Sequence, residues 1–246
     1  MKTNLLKSIF ISLILLVGGI SKISAADITS DGTARLYFNM ATYNWWISGN
    51  GNNNFAYFFK GSSSAWSAHA VQYSGNTYYV VIPKGTWNTV ILTRNNTTNA
   101  PSWNNKWNQS TDITLSSESN YLSKFKDTGN SGSTVWGTAI KPTSTASVAS
   151  SAASVFVGAP ANLTASLTSN ANINTIKSVA YSTTTGASIT GNTFTATAEG
   201  TYTVTATVTY HPNGYPSITS TATATTTITA EVPAEETHDV TVSYMC

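Results

Sequence analysis

The chain has 246 residues, of which only 9% are charged, and its formal net charge is +2. A typical soluble protein has about 25% charged residues, whereas polar uncharged and aromatic residues take their place here. Lys2, Lys7 and Lys22 lie in an N-terminal segment that we expect to be removed, which leaves nine basic against ten acidic residues and a net charge of −1. That balance disfavours nucleic acid and anionic membrane surfaces as partners.

Cys246 is the only cysteine and the last residue, so the chain contains neither an internal disulfide nor a cysteine-based zinc site. The three histidines are scattered and the carboxylates form no cluster, so we expect no bound metal and no cofactor.

Residues 1–26 have the pattern of a secretory signal peptide. Lys2 and Lys7 give a positive start, and residues 9–20 form an apolar run too short to span a bilayer. Ser24-Ala25-Ala26 supplies the small residues of a cleavage site, so we predict cleavage before Asp27, with cleavage after Ala25 as the alternative. No cysteine follows to take a lipid. We therefore expect a secreted, periplasmic or cell-surface protein with no membrane insertion.

Residues 27–140 alternate short aromatic and β-branched runs with Gly, Asn and Ser clusters. The candidate strands are 34–39, 55–60, 77–82, 89–93 and 112–115. Asn50-Gly51-Asn52 and Ser74-Gly75-Asn76 are typical of tight turns between antiparallel strands. The pattern predicts an all-β sandwich.

The composition changes at Pro142, which we interpret as a domain boundary. Residues 142–230 contain no Trp and no carboxylate except Glu199. Residues 201–209 alternate strictly, which predicts a strand with Tyr202 and Val204 among its buried residues. Further alternating pieces lie at 155–167, 178–181, 188–196 and 218–228.

Glu199-Gly200-Thr201-Tyr202, followed by that alternating run, resembles the late strand of bacterial immunoglobulin-like domains. The resemblance implies a second β-sandwich over residues 142–230. A fibrous stalk is the alternative for so threonine-rich a segment.

Residues 231–246 begin with a charged, Pro-containing linker and end in a single predicted strand. Because an isolated edge strand is poorly stable, we hypothesise that a further module belonged here and that the reading frame is truncated.

Few groups in residues 27–140 are suited to act as acids, bases or nucleophiles. Glycoside cleavage normally needs two carboxylates that flank one bond. Asp112 opens a predicted strand and Glu118 lies in a predicted turn, so we interpret both as solvated turn carboxylates. His69 has no nearby carboxylate to orient it. We predict no catalytic residue and no enzyme activity.

Aromatic rings and side-chain amides are abundant instead, with nineteen aromatic residues between 27 and 140. Sugars pack their C–H faces on rings, and their hydroxyls need both donors and acceptors, which Asn and Gln supply. The core needs part of these rings, and we assign Tyr37, Phe55, Tyr79 and Trp87 to it. Trp45 and Trp46 are adjacent, so on a strand at least one would be exposed.

Residues 33–125 resemble the starch-binding modules of carbohydrate-binding module family 26. The matching segments, in chain order, are Leu36-Tyr37-Phe38-Asn39, Asn44-Trp45-Trp46, Phe55-Ala56-Tyr57-Phe58-Phe59, Trp66, Tyr78-Tyr79-Val80-Val81-Ile82-Pro83, Trp87-Asn88-Thr89-Val90-Ile91-Leu92 and Gln109-Ser110-Thr111-Asp112-Ile113. The resemblance implies stacking of α-1,4-glucan on aromatic side chains, aided by polar groups.

Carried over to this chain, the resemblance makes Trp46 and Tyr57 the expected platforms, with Trp45 and Phe59 beside them and Gln109 as a hydroxyl partner. Phe59 replaces a Trp, and Ser67-Ala68 replaces Pro-Gly after Trp66. Residues 95–108 form an insertion whose Trp103 and Trp107 would extend or replace the platform, and Trp107 is the alternative platform.

The sequence therefore predicts non-catalytic binding of α-glucan by an exported protein, with further modules of a glycan-degrading system as possible partners. The alternative is a surface adhesin or structural spacer that binds another glycan or a protein.

Overall fold

The computed structural model describes residues 26–46, 53–96, 100–168 and 173–235. The predicted signal peptide before Ala26, the turn at Asn50-Gly51-Asn52 and the predicted strand after residue 235 lie outside the described residues. Among the described residues, no helix has the length and apolar character needed to cross a membrane.

The first sandwich contains twelve strands and one 3-10 helix among its described residues. In chain order they are β1 (Ile28–Ser30), β2 (Arg35–Asn39), the 3-10 helix (Ala41–Trp46), β3 (Asn54–Lys60), β4 (Ser63–Trp66), β5 (Val71–Ser74), β6 (Thr77–Val81), β7 (Gly85–Trp87), β8 (Thr89–Asn95), β9 (Lys106–Gln109), β10 (Ile113–Thr114), β11 (Tyr121–Lys124) and β12 (Val135–Trp136). The front sheet has the order β10-β8-β3-β4, and β9 also pairs with β8. The back sheet has the order β12-β11-β2-β6-β5. The strands β1 and β7 form a separate sheet of two strands.

The core of this sandwich comes from alternate residues of the two sheets. On β3, Ala56 and Phe58 are buried in the core, whereas Tyr57 and Phe59 are only partly buried because they point to the outer face. Tyr37, Phe55 and Trp87 are buried as predicted. The prediction for Tyr79 is wrong: β6 places Tyr78 in the core and leaves Tyr79 partly exposed on the outer face.

The second sandwich contains eight strands within the part of the chain that the structure describes. They are β13 (Ala146–Ser150), β14 (Ser154–Phe156), β15 (Pro160–Leu167), β16 (Ile173–Thr183), β17 (Ala187–Thr190), β18 (Thr193–Ala196), β19 (Gly200–Pro212) and β20 (Ser220–Glu231). One sheet has the order β13-β15-β18-β17 and the other β14-β20-β19-β16. These orders are the ABED and CFG sheets of the immunoglobulin fold, with β14 added beside the last strand.

Tyr202 near the start of β19 supports this assignment. Its hydroxyl donates a hydrogen bond of 2.8 Å to the backbone oxygen of Ala198, four residues upstream. A tyrosine that bonds back in this way is the tyrosine corner of immunoglobulin-like domains. The predicted all-β class and the immunoglobulin-like sandwich are thus confirmed.

The turn between β19 and β20 packs into the first sandwich. Tyr215 and Ile218 belong to the same buried cluster as Ile28 and Ala34. Gly214 has a φ of +76°, and an added Cβ would lie 3.0 Å from the Cβ of Ala34, so only glycine fits without strain. The two sandwiches therefore share part of one core.

Candidate functional site

Four aromatic side chains meet on the outer face of the front sheet, and we call them the aromatic cup: Tyr57, Phe59, Trp66 and Trp103. Tyr57 and Phe59 share a face because they are two residues apart on β3. Trp66 joins them because β4 pairs it directly with Tyr57. Trp103 comes from the segment that leads into β9 and lies over this face.

Three of these rings form a triangle. The centroid of Tyr57 lies 5.0 Å from that of Trp66 and 4.9 Å from that of Trp103, and the two indoles are 4.9 Å apart. The planes are tilted by 54° to 70° relative to one another. Phe59 extends the row beside Tyr57, at 5.9 Å and with a smaller tilt of 34°. The rings are thus tilted relative to one another instead of forming a flat strip.

The cup is open to solvent. Trp103 is 41% exposed, and the other three side chains are partly exposed. Within the described parts of the chain, neither indole N–H of the cup, from Trp66 or Trp103, has a hydrogen-bond partner. The cup therefore offers ring faces together with two N–H donors to a ligand.

Backbone and amide contacts hold Trp103 in place. The side chain of Asn95 is fully buried, and its amide nitrogen donates to the backbone oxygen of Ser102 at 3.2 Å. The backbone nitrogen of Asn96 donates to the oxygen of Asn105 at 2.8 Å. These bonds fix both ends of the short turn that carries Trp103.

Two polar side chains of β9 border the cup. The Nζ of Lys106 lies 5.4 Å from the ring centroid of Trp103 and donates a hydrogen bond to Oε1 of Gln109. Gln109 pairs in register with Thr93, which in turn pairs with Phe55 on β3. Because Phe55 is two residues before Tyr57, Gln109 lies on the same face as the cup.

The prediction that Trp46 is an exposed platform is wrong. Trp46 is 0% exposed, and its Nε1 donates a 3.0 Å hydrogen bond to Oδ2 of buried Asp127. Its ring packs against Phe125 at 5.0 Å. The residue lies in a 3-10 helix instead of a strand, so the alternation argument did not apply. The side chain of Trp45 lies outside what the structure describes.

Trp107 is 48% exposed but does not belong to the cup. The guanidinium of Arg94 lies over its ring at 4.7 Å. Arg94 pairs in register with Asn54, which alternates with the core residues Ala56 and Phe58, so this pair lies on the other side of the front sheet. Of the predicted site residues, the structure brings together Tyr57, Phe59 and Gln109 with Trp103 of the insertion, and it adds Trp66.

The ionisable groups near the cup are sparse. His69 packs edge-on against Phe55 at 5.4 Å, and its burial lowers its pKa below the usual value. Asp112 and Glu118 are exposed to solvent. Across the described ranges, no three His, Cys, Asp or Glu side chains are grouped in a way that would hold a metal ion.

No protein-family model matches the chain, and no curated protein gives a significant match. Among solved structures, the chain is similar to the full ectodomain (Ig1–Ig3) of mouse nectin-like molecule 4, with a TM-score of 0.24 and 16% sequence identity. The match covers 75% of this chain, which spans 57% of the ectodomain. At so low a TM-score, the assignment of the fold depends on the strand order and the tyrosine corner.

Proposed function

We propose that this chain is a non-catalytic glycan-binding protein that takes α-glucan in the aromatic cup. The observation that carries the proposal is the triangle of Tyr57, Trp66 and Trp103, three partly exposed rings about 5 Å apart. Rings left open to water lose the free energy of burial unless a ligand covers them. Sugars cover such rings with their C–H faces.

The tilt between the rings favours α-glucan over β-1,4-glucan. A flat, extended chain needs rings in one plane, whereas these planes differ by 54° to 70°. An α-1,4-linked chain curves, so successive glucose units present their faces at an angle. The resemblance to family 26 of carbohydrate-binding modules supports the same ligand, since Tyr57, Phe59 and Trp66 fall within its matching segments.

The test is the binding of maltoheptaose and soluble starch, measured by calorimetry and by affinity electrophoresis. The double variant Trp66→Ala/Trp103→Ala should lose on the order of 2–6 kcal/mol of binding free energy, by analogy with base stacking on aromatic rings. Trp107→Ala is the matched control, because it removes an exposed indole outside the cup, and it should bind like the wild type.

The opposite pattern, with loss in Trp107→Ala and none in the double variant, would move the site to Trp107. Binding of hydroxyethylcellulose as strong as that of starch would contradict the α-glucan assignment. Unchanged mobility in starch, glycogen and pullulan would refute the proposal and favour the adhesin or spacer function.

We also propose that the protein releases no reducing sugar from α-glucan, because Asp112 and Glu118 are exposed carboxylates outside the cup. Turnover that Asp112→Asn abolishes would contradict this. Export and a role beside other modules of a glycan-degrading system remain part of the same proposal.

A further inference from the structure

A β-bulge in β9 brings two polar side chains to the cup. Gln109 pairs with Thr93 and Lys106 pairs with Asn95, so a step of three residues on β9 matches a step of two on β8. Residues three apart on a regular strand point to opposite faces. The extra residue of the bulge therefore places both Lys106 and Gln109 on the face that carries the cup.

Lys106 contacts both Trp103 of the cup and Gln109 beside it. Its ammonium lies 5.4 Å from the centroid of the Trp103 ring, within the range of a cation–π interaction. The same ammonium donates a hydrogen bond to Oε1 of Gln109. A lysine ammonium has three donors and no acceptor, so the group that faces it must be the amide oxygen. The Nε2 group of Gln109 is consequently turned away from Lys106.

We propose that Lys106 is a positioning residue that preorganises the cup for hydroxyl oxygens of the ligand. It covers one part of the Trp103 indole and leaves the rest of the ring free for stacking. It also orients the amide of Gln109 so that its two N–H donors are turned away from Lys106 and toward the ligand. This inference rests on the proposed binding of α-glucan in the cup.

The energetic reason is preorganisation. A surface glutamine adopts several rotamers and both amide orientations, and ordering it on binding costs free energy. A residue that fixes the amide beforehand removes that cost. Lys106 thus strengthens binding without touching the ligand, and its effect must depend on the presence of Gln109.

The test is a double-mutant cycle on the full chain with maltoheptaose. Lys106→Met keeps the aliphatic stem and should weaken binding about fivefold to tenfold, whereas Lys106→Arg keeps the cation and should bind within about twofold of wild type. In a Gln109→Ala background, Lys106→Met should have a clearly smaller effect than in the wild type. Independent, multiplicative losses, or no loss in Lys106→Met, would overturn the proposal.

A second measurement requires no glycan. The side-chain amide resonances of Gln109 should shift in the NMR spectrum of Lys106→Met and keep their wild-type positions in Lys106→Arg. Unchanged resonances in Lys106→Met would show that Lys106 does not orient this amide and would refute the positioning role. If the wild type binds no α-glucan, the proposed function fails, and this measurement still decides whether Lys106 holds Gln109.

Discussion

Two of the aromatic groups in the first sandwich have similar ring packing but opposite surroundings. In the interior, Trp46, Tyr43 and Phe125 have centroids 5.0 to 6.4 Å apart. In the cup, the closest rings are 4.9 to 5.9 Å apart. Ring spacing alone therefore does not distinguish a core from a binding surface.

The surroundings of the indole N–H groups distinguish the interior group from the cup. The indole N–H of Trp46 is bonded to Asp127 and shielded from water, as buried polar groups need to be. The indoles of Trp66 and Trp103 remain open to solvent. We infer that the interior group supplies stability and that the cup supplies affinity, and the following predictions test this division.

The largest expected difference concerns stability. Trp46→Ala should lower the free energy of unfolding by about 3–5 kcal/mol, because it leaves a large cavity and removes the indole donor to Oδ2 of buried Asp127. Trp103→Ala should lower it by only about 0.5–1.5 kcal/mol, because the ring is 41% exposed and loses its contacts with Tyr57 and Trp66 without leaving a cavity in the core. Urea unfolding of both variants measures the contrast. Equal losses would show that Trp103 belongs to the folded core.

The second prediction compares two polar atoms in the interior. Trp46→Phe should lower the free energy of unfolding by about 1–3 kcal/mol, because Asp127 loses its indole donor. Tyr215→Phe should instead stabilise by about 1 kcal/mol, since the buried hydroxyl of Tyr215 has no hydrogen-bond partner in the described structure.

Tyr215→Ala is the control for the second prediction, and it should destabilise by several kcal/mol because its ring fills the core that the two sandwiches share. If Tyr215→Phe is as destabilising as Tyr215→Ala, the hydroxyl has a partner and the prediction is wrong.

A third prediction sharpens the role of the cup. Phe59→Trp should raise the affinity for maltoheptaose about threefold, because the indole adds stacking area and an N–H donor next to Tyr57. The melting temperature should stay close to that of the wild type. A loss of affinity in a stable variant would show that the larger ring blocks the ligand.

The smallest effect concerns pH. Burial holds the pKa of His69 below its usual value, so the unfolded chain takes up the proton first as the pH falls. The contribution of His69 to stability is therefore complete above about pH 6.5 and is lost as the pH falls below that value. His69→Phe keeps a ring against Phe55 and should weaken this dependence in thermal unfolding between pH 7 and pH 5. An identical pH profile in the variant would contradict the prediction.

The sequence by itself determined the local β structure. The alternation over residues 201–209 predicts Tyr202, Val204, Ala206 and Val208 on one buried face, and all four are buried. Ser74-Gly75-Asn76 connects β5 and β6 as predicted, with a φ of +54° at Gly75. Such features depend on neighbours a few residues away, which the sequence displays directly.

One alternating segment of the sequence contains two strands. Alternation predicts residues 155–167 as one piece, whereas the chain turns at Gly158 and divides it into β14 and β15 in different sheets. Tyr78 and Tyr79 show the same difficulty within one strand. Alternation predicts that one of these two tyrosines is buried. Which of them it is depends on which face of the strand packs against the other sheet.

Only the tertiary structure decided where the candidate site lies. Trp46 is buried in the core, where Asp127, 81 residues away, accepts its N–H. Trp66 joins the cup through its register opposite Tyr57, and a bulge opposite β8 turns Lys106 and Gln109 to the same face. Each of these facts depends on pairing between residues that are distant in the chain. A pattern that repeats every two residues describes a strand but leaves open which face is turned inward, because that choice is made by the partner strand and the packing above it.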